Sequence, residues 1–114
     1  MNTSAENIHF FNTLTRKKEK FVPLEKDKVK MYTCGPTVYD YAHIGNFRAF
    51  VLEDLLRRWL EYRGFEVTQI MNITDVDDKT IKGSRKKQIP LKEYTEYYTK
   101  AFFEDIQALN IQKA

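Results

Sequence analysis

The sequence holds a single cysteine, Cys34, among its 114 residues. One cysteine excludes a disulfide within the chain, and it favours a reducing, cytoplasmic compartment. No apolar run approaches the roughly 20 residues that a membrane-spanning helix needs, and the mean hydropathy is −0.59. The first ten residues carry no basic run followed by an apolar stretch. We therefore predict no signal peptide and no membrane partner.

Neither sign of charge dominates, since the chain has 19 basic and 16 acidic residues and a net charge of +3. This small excess permits nucleic-acid binding without arguing for it. Glycine and proline are also scarce, with four and three copies, and we expect them to mark the ends of elements. The length fits one small domain. Its core can come from the 42% of residues that are apolar, which include 8 Phe and 7 Tyr.

Apolar residues recur at helical spacing over residues 45–62, which predicts an amphipathic helix. We expect this helix to end in a left-handed cap at Gly64. The face predicted to be buried holds nine residues: Phe47, Phe50, Val51, Leu52, Leu55, Leu56, Trp59, Leu60 and Tyr62. The opposite, solvated side should carry two i,i+4 ion pairs, Glu53–Arg57 and Asp54–Arg58.

Alternating residues predict a strand on each side of this helix, over residues 29–33 and 65–71. A strand, a helix and a second strand make a βαβ unit, so the predicted fold is α/β with a Rossmann-like parallel sheet. Ligands of such sheets bind beyond the carboxyl ends of the strands. Residues 34–35 and 72–74 follow those two ends, and we expect them to flank one cleft.

The remaining segments have weaker patterns. Residues 1–9 are polar and are expected to be frayed, and residues 10–15 predict a short strand. Residues 79–92 are rich in Lys and Arg without any acid, and their glycine and proline favour a loop. A second apolar stripe at helical spacing runs from Leu91 to Leu109. Its Tyr and Phe residues are expected in a core or an interface.

Residues 43–46 (HIGN) open the predicted helix and form a candidate binding site. A helix N-terminus presents free N–H groups and a partial positive charge, which attract phosphate. Gly45 lacks a Cβ, so a phosphate or a flat ligand can approach the backbone closely. His43 and Asn46 can donate hydrogen bonds into that space. The residues alone favour a helix start with a structural glycine, and a nucleotide site is the alternative.

Residues 43–46 resemble the HIGH signature of class I aminoacyl-tRNA synthetases. The flanking segments resemble the cysteinyl-tRNA synthetase family in the right order: residues 11–16 (FNTLTR), 34–40 (CGPTVYD) and 72–81 (NITDVDDKTI). The resemblance implies a HUP-type Rossmann domain of which only the first half is present. We divide the chain accordingly into a frayed N-terminus (1–9), that first half (10–82), and a basic loop with the start of a helical insertion (83–114).

The resemblance implies activation of cysteine by ATP, with Mg²⁺, to cysteinyl-adenylate, followed by transfer to tRNA-Cys. By similarity, residues 43–46 bind ATP: His43, Ile44, Gly45 and Asn46. His43 and Asn46 are the expected catalytic residues, because charge grows on the phosphate oxygens during the reaction. The last HIGH position is Asn46 rather than His, which keeps a neutral donor but cannot carry charge.

The resemblance also gives Cys34 a role as a zinc ligand. One zinc ion per full-length enzyme holds the substrate thiolate, and zinc with an open position needs three protein ligands. This chain has no second cysteine and only two histidines, so the other ligands are expected outside it. The alternative is an unreactive, buried cysteine. By similarity, the cysteine and adenylate pocket is lined by Gly35, Thr37 and Thr74.

Other interpretations stay open at this point. A synthetase-like ligase could join cysteine to a small amine. A non-catalytic paralogue could bind nucleotide, tRNA or a protein partner, since no Lys-Met-Ser-Lys-Ser-like motif occurs. We expect the 114-residue chain alone to be inactive and the full-length enzyme to be a cytoplasmic monomer. The basic segment 79–92 is a solvated loop or a contact for tRNA phosphates. The acids at 75–78 lack EF-hand spacing, and they favour a solvated loop or an N-terminal helix cap.

Overall fold

The computed structural model describes residues 7–114. Four strands and three helices follow one another along this part of the chain: β1 (His9–Asn12), β2 (Lys17–Lys20), β3 (Lys28–Thr33), α1 (Ile44–Tyr62), β4 (Glu66–Met71), α2 (Asp78–Lys87) and α3 (Leu91–Ala108). β1 and β2 form an antiparallel hairpin, and β3 and β4 form a separate parallel pair. None of these helices is long and apolar enough to cross a bilayer.

The parallel pair forms the predicted βαβ unit with α1. β3 and β4 pair in register from Lys28 opposite Glu66 to Thr33 opposite Met71. Along β3, side chains alternate between the face covered by α1 and the open face, as the period of two requires. The prediction of an α/β chain with a parallel sheet is therefore confirmed.

The C-terminus of α1 has the geometry predicted for Gly64. Gly64 has a φ of 94°, which residues other than glycine adopt only at a cost in free energy. The Gly64 N–H donates to the Glu61 carbonyl at 2.9 Å, and the Phe65 N–H donates to the Leu60 carbonyl at 3.1 Å. These two bonds make a Schellman motif, which ends the helix and turns the chain into β4.

The predicted buried face of α1 is wrong in large part. The structure buries Phe50, Asp54 and Leu60. Five of the nine residues expected inside are exposed: Val51, Leu52, Leu55, Trp59 and Tyr62. The helix is apolar on two sides, and β4 and α3 cover only one of them. The chain is correspondingly open, since its radius of gyration is 17.3 Å against about 13 Å for a compact domain of this length.

The ion pairs of α1 also differ from the prediction. Arg58 does pair with Asp54, at 2.7 Å, but Asp54 is buried and also accepts the backbone N–H of Gln112 at 2.9 Å. Arg57 pairs with Glu61 instead of Glu53, at 3.1 Å. Burial raises the pKa of the Glu53 carboxyl, and a hydrogen bond from Thr33 opposes that rise.

The basic segment expected as a loop contains a helix, α2. Asp77 caps it by accepting the Lys79 N–H at 3.1 Å, so the helix cap is the one of the two predicted alternatives that the structure has. Gly83 lies inside α2 and does not break the helix. A Cβ at this position would overlap the Tyr94 hydroxyl. A close approach between α2 and α3 therefore explains this glycine. The loop is confined to the residues after Gln88, whose φ of 57° ends the helix.

The prediction that residues 1–9 are frayed is wrong for Ile8 and His9. Residues 1–6 lie outside the described residues. Ile8 is only 5% exposed and belongs to the core around Leu60 and Phe65, and His9 begins β1. The basic stretch after residue 15 forms β2, which sequence reasoning missed because its lysines have no strand-like alternation. The proposed domain boundaries stay predictions.

α3 packs against both elements that position the site, the loop after β3 and α1. Tyr94, Tyr98, Phe102 and Ile106 of its predicted stripe are buried as expected, whereas Leu109 at the end of the stripe and Tyr97 are exposed. One end of α3 packs on Val38 of the loop before α1, and the other end packs on Phe50 within α1. The helix thus holds both the loop and the helix that follow β3.

Candidate nucleotide-binding site

The ends of β3 and β4 are joined directly by side-chain and backbone contacts. The Gly35 N–H donates to Oδ1 of Asn72 at 2.8 Å, and Nδ2 of Asn72 donates to the Thr74 hydroxyl at 3.3 Å. A Cβ on Gly35 would overlap the Asn72 carbonyl oxygen. The segments expected to flank one cleft therefore do meet at this edge of the sheet.

Two of the predicted pocket residues, Thr37 and Thr74, are paired as partners in a parallel bridge. The Thr74 N–H donates to the Pro36 carbonyl at 3.0 Å, and the Val38 N–H donates to the Thr74 carbonyl at 3.1 Å. This ladder extends the parallel pairing of β3 and β4 past the strand ends. It fixes the start of the loop that leads to α1.

The middle of this loop is anchored on α3. Val38 is 1% exposed and packs with Tyr94 and Tyr98. The Tyr94 hydroxyl donates to the Tyr39 carbonyl, and burial raises the pKa of Tyr94. With both its start and its middle held, the loop delivers His43 to the N-terminus of α1 in one orientation.

His43 and Asn46 form a capping box at the start of α1. The Gly45 N–H donates to Nδ1 of His43 at 3.0 Å, and the His43 N–H donates to Oδ1 of Asn46 at 3.0 Å. Each side chain thus uses its acceptor on its own helix. Nε2 of His43 and Nδ2 of Asn46 are the nitrogens left to donate outward. All four residues from 43 to 46 are exposed.

Gly45 makes room for the His43 ring as well as for a ligand. A Cβ at this position would lie 2.8 Å from Cε1 and 3.0 Å from Nδ1 of His43. The His43 ring would have to shift out of its capping geometry, because Cβ contacts shorter than 3.0 Å essentially never occur. The glycine that sequence reasoning assigned to ligand approach therefore also protects the geometry of the cap.

Gly45→Ala should lose about 1 kcal/mol of stability through the lost cap, and the helix preference of alanine should offset part of that loss. In a His43→Ala background, the same substitution should cost nothing or stabilise, because no ring remains to displace and alanine favours helix. Urea unfolding of the four proteins in this double-mutant cycle, followed by circular dichroism, gives the coupling. Additive effects of the two substitutions would contradict the proposed contact.

The family of this chain follows from its match to a family model. Residues 20–114 match the model of the tRNA synthetases class I (C) catalytic domain. The chain belongs to this synthetase family. Membership confirms the resemblance that the sequence motifs indicated and a partial Rossmann-like unit.

Three curated relatives of this chain share one name. The chain is 61% identical to the cysteine–tRNA ligase of Chlamydia pneumoniae over 109 residues, which are 96% of this chain and 23% of the relative. It is 59% identical to the cysteine–tRNA ligase of Brachyspira hyodysenteriae, with the same coverage. The enzyme of that name from Ligilactobacillus salivarius is 57% identical over 94% of this chain and 23% of its own length. The synthetase chain thus spans about a quarter of these relatives.

The thiol expected to bind zinc is exposed. Sγ of Cys34 lies 3.8 Å from the Gly35 carbonyl oxygen. Among residues 7–114, no three His, Cys, Asp or Glu side chains gather as metal ligands would. The described part of this synthetase chain therefore does not form a zinc site, and the role of Cys34 as one ligand stays a prediction.

Asn72 is the site residue that sequence reasoning did not assign. The sequence places it after β4, at the expected cleft, without a role for its side chain, and that side chain joins the two strand ends of the synthetase domain. The signal was its position opposite Gly35 across a predicted parallel pair. An amide has both a donor and an acceptor, which suits it to bridging a backbone N–H and a threonine hydroxyl.

Proposed function

We propose that this chain supplies the ATP-contacting part of a cysteine–tRNA ligase. The observation that supports this most is the exposed first turn of α1, residues 43–46, held by the loop that leaves the joined ends of β3 and β4. In parallel sheets of this kind, ligands bind at that edge. A helix N-terminus at that edge suits the phosphates of ATP.

In the proposed reaction, a carboxylate oxygen of cysteine attacks the α-phosphorus of ATP. The bond to the bridging oxygen breaks, pyrophosphate leaves and cysteinyl-adenylate forms. A terminal ribose hydroxyl of tRNA-Cys then attacks the carbonyl carbon, loses its proton and displaces AMP. The first step needs donors that stabilise charge on phosphate oxygens more than it needs covalent help.

His43 and Asn46 are the proposed donors. Because their acceptor atoms are bound to the backbone of α1, Nε2 of His43 and the Asn46 amide are held in fixed directions. Donors fixed in advance cost little reorganisation when charge develops. Asn46 serves this role as a neutral donor, and its second task as a cap supports an amide at this position.

The cysteine end of the proposed site lies at the strand ends. Gly35, Thr37 and Thr74 would line the pocket there. Cys34 would contribute one thiolate to a zinc ion whose other ligands lie outside this chain, and zinc bound there would hold the thiolate of cysteine. Mg²⁺ would accompany ATP, and the whole protein would act as a cytoplasmic monomer.

ATP binding to the chain tests the proposal. A fluorescent ATP analogue should bind the wild-type chain, and His43→Asn should weaken binding roughly 10-fold or more, since hydrogen bonds to charged groups contribute about 1.5–3 kcal/mol. Asparagine retains a capping oxygen, so the helix start should persist. His9→Ala in β1 is the matched control. Equal affinity of the two variants would contradict the proposal.

Catalysis by the isolated chain is a separate expectation. We predict no cysteine-dependent exchange of pyrophosphate into ATP by these 114 residues, because this sequence offers only Cys34 as a zinc ligand and has no Lys-Met-Ser-Lys-Ser-like motif. Turnover in that assay would show that the required parts have been assigned wrongly.

A further inference from the structure

Two amide side chains of the synthetase chain hold the backbone on both sides of Cys34. Nε2 of Gln69 donates to the Thr33 hydroxyl at 3.0 Å, and the Gly35 N–H donates to Oδ1 of Asn72 at 2.8 Å. Thr33 precedes Cys34 and Gly35 follows it. Gln69 lies in β4, and Asn72 comes directly after this strand. One short segment therefore holds the chain just before and just after the thiol.

The direction of each amide is determined by a partner that can only donate. Nη1 of Arg57 donates to Oε1 of Gln69 at 3.4 Å, and a guanidinium has no acceptor. The amide oxygen of Gln69 must therefore face Arg57, which leaves Nε2 to donate to Thr33. A backbone N–H likewise only donates, so Gly35 selects the oxygen of Asn72. Neither amide can turn over and keep its hydrogen bonds.

Gln69 is an unusual residue for its position in the sheet. It is 8% exposed and lies on the face of β4 that α1 covers, with Val67 and Met71 on the same face. Parallel strands that helices cover are normally apolar. A buried amide needs hydrogen bonds to offset its desolvation, whereas an apolar side chain of the same shape fits such a site at little or no cost in stability. Packing therefore gives no reason for an amide here, and the contact with Thr33 gives one.

The Thr33 hydroxyl is held by two elements at once. It accepts from Gln69 of β4, and it donates to the Glu53 carboxylate of α1. A hydroxyl that accepts one bond and donates another is restricted to one direction. The last residue of β3 is thus fixed both to the neighbouring strand and to the helix.

The side chain of Cys34 is constrained only weakly by its own contact. Sγ is exposed and lies 3.8 Å from the Gly35 carbonyl oxygen, and a thiol is a weak donor. The direction of the Cα–Cβ bond of Cys34 therefore depends on the backbone of residues 33–35. A ligating group that is oriented before binding loses less freedom when it binds, so the residues that orient it contribute to affinity.

We propose that Gln69 and Asn72 are positioning residues that fix the direction of the Cys34 side chain before a metal or a substrate binds. The inference rests on the proposed function for the task of this thiol, as a ligand at the cysteine end of the site. Gln69 acts through Thr33, and Asn72 acts through Gly35. Loss of either amide would release the backbone on one side of the thiol.

NMR relaxation of the backbone amides tests this positioning on the full 114-residue chain. In wild type, the Cys34 amide should have an order parameter of about 0.85, as rigid backbone has. Gln69→Met and Thr33→Val should each lower it toward the values below about 0.6 that flexible backbone has, with unchanged values in α1. Thr33→Ser keeps the hydroxyl and should retain the wild-type value. Asn72→Asp keeps the acceptor for the Gly35 N–H and should also retain it, whereas Asn72→Leu should lower it.

Gln107→Met is the matched control, because it makes the same chemical change at an exposed position of α3. It should leave the order parameters of residues 33–35 as in wild type. The midpoint of urea unfolding should be similar in Gln69→Met and wild type, since methionine has a similar volume and packs well in cores. A lower midpoint with an unchanged order parameter at Cys34 would overturn the inference and make Gln69 a purely structural residue.

A flexible Cys34 in wild type would also overturn the inference, as would equal effects of Thr33→Ser and Thr33→Val. The ATP analogue should bind Gln69→Met like wild type, because His43 and Asn46 are held by their own helix. Failure of wild type to bind ATP would contradict the proposed function and would not alter the order parameters of residues 33–35. The two failures are therefore distinguishable.

Discussion

Replacing Gly35 with alanine is expected to destabilise the chain by about 3 kcal/mol, at the upper end of what overpacking costs. The added Cβ would overlap the Asn72 carbonyl oxygen and lie 2.7 Å from Cγ of Met71. The overlapping atom belongs to backbone that follows β4, so it cannot rotate away as a flexible side chain would. Relief would require separating the two strand ends and losing the hydrogen bond from Gly35 to Asn72. Urea unfolding followed by circular dichroism measures the loss.

Gly64→Ala is the matched control for this prediction. Gly64 has a φ of 94°, so alanine there is strained by its backbone conformation rather than by a clash. That strain costs about 1–2 kcal/mol. A Gly35→Ala variant as stable as Gly64→Ala would show that the strand ends can separate at low cost. It would also remove the structural reason for glycine at 35 and leave ligand approach as the explanation.

Phe102→Ala is expected to cost about 3–5 kcal/mol, as large-to-small changes of buried aromatic residues do. Phe102 is 3% exposed, and its ring centroid lies 5.3 Å from that of Phe50 and 6.4 Å from that of Phe47. These rings connect α3 to the first turns of α1. The cavity would therefore weaken the contact between the two helices that border the site. Thermal and urea unfolding measure the effect.

Phe11→Ala provides the comparison, because Phe11 is 65% exposed in β1 and exposed substitutions usually change stability by about 0.5 kcal/mol or less. Similar losses in both variants would mean that α3 does not depend on α1 for its stability. In that case the buried rings between them would not hold the N-terminus of α1 in place, and ATP binding should be unaffected by Phe102→Ala.

The local pattern of the chain predicted α1 and α3 well. The structure begins α1 at Ile44 and ends it at Tyr62, within one residue of the predicted range. Helical spacing and Gly64 carry this information because they act over a few neighbouring residues. The parallel pairing of the strands followed from the order of elements, since a strand, a helix and a strand close in that way.

The local pattern did not predict the features that depend on contacts between separate elements. Leu55 and Trp59 are exposed while Asp54 is buried, because α1 is apolar on two sides and periodicity does not show which one meets the sheet. Gly83 was interpreted as a break in structure and lies inside α2. Its reason is the Tyr94 hydroxyl on another helix, which no pattern within residues 79–92 contains.

The sequence by itself determined the family, through several motifs in one order, and it determined where α1 starts. Residues 43 and 46 are three apart, so their capping contacts form within one helical turn. The tertiary structure alone decided that Asn72 holds Gly35, a contact that spans 37 positions. It also decided that tyrosines of α3 anchor the loop before His43. Such contacts depend on how separate elements pack. A cap or a turn forms between neighbouring residues, whereas packing joins residues that are far apart in the sequence.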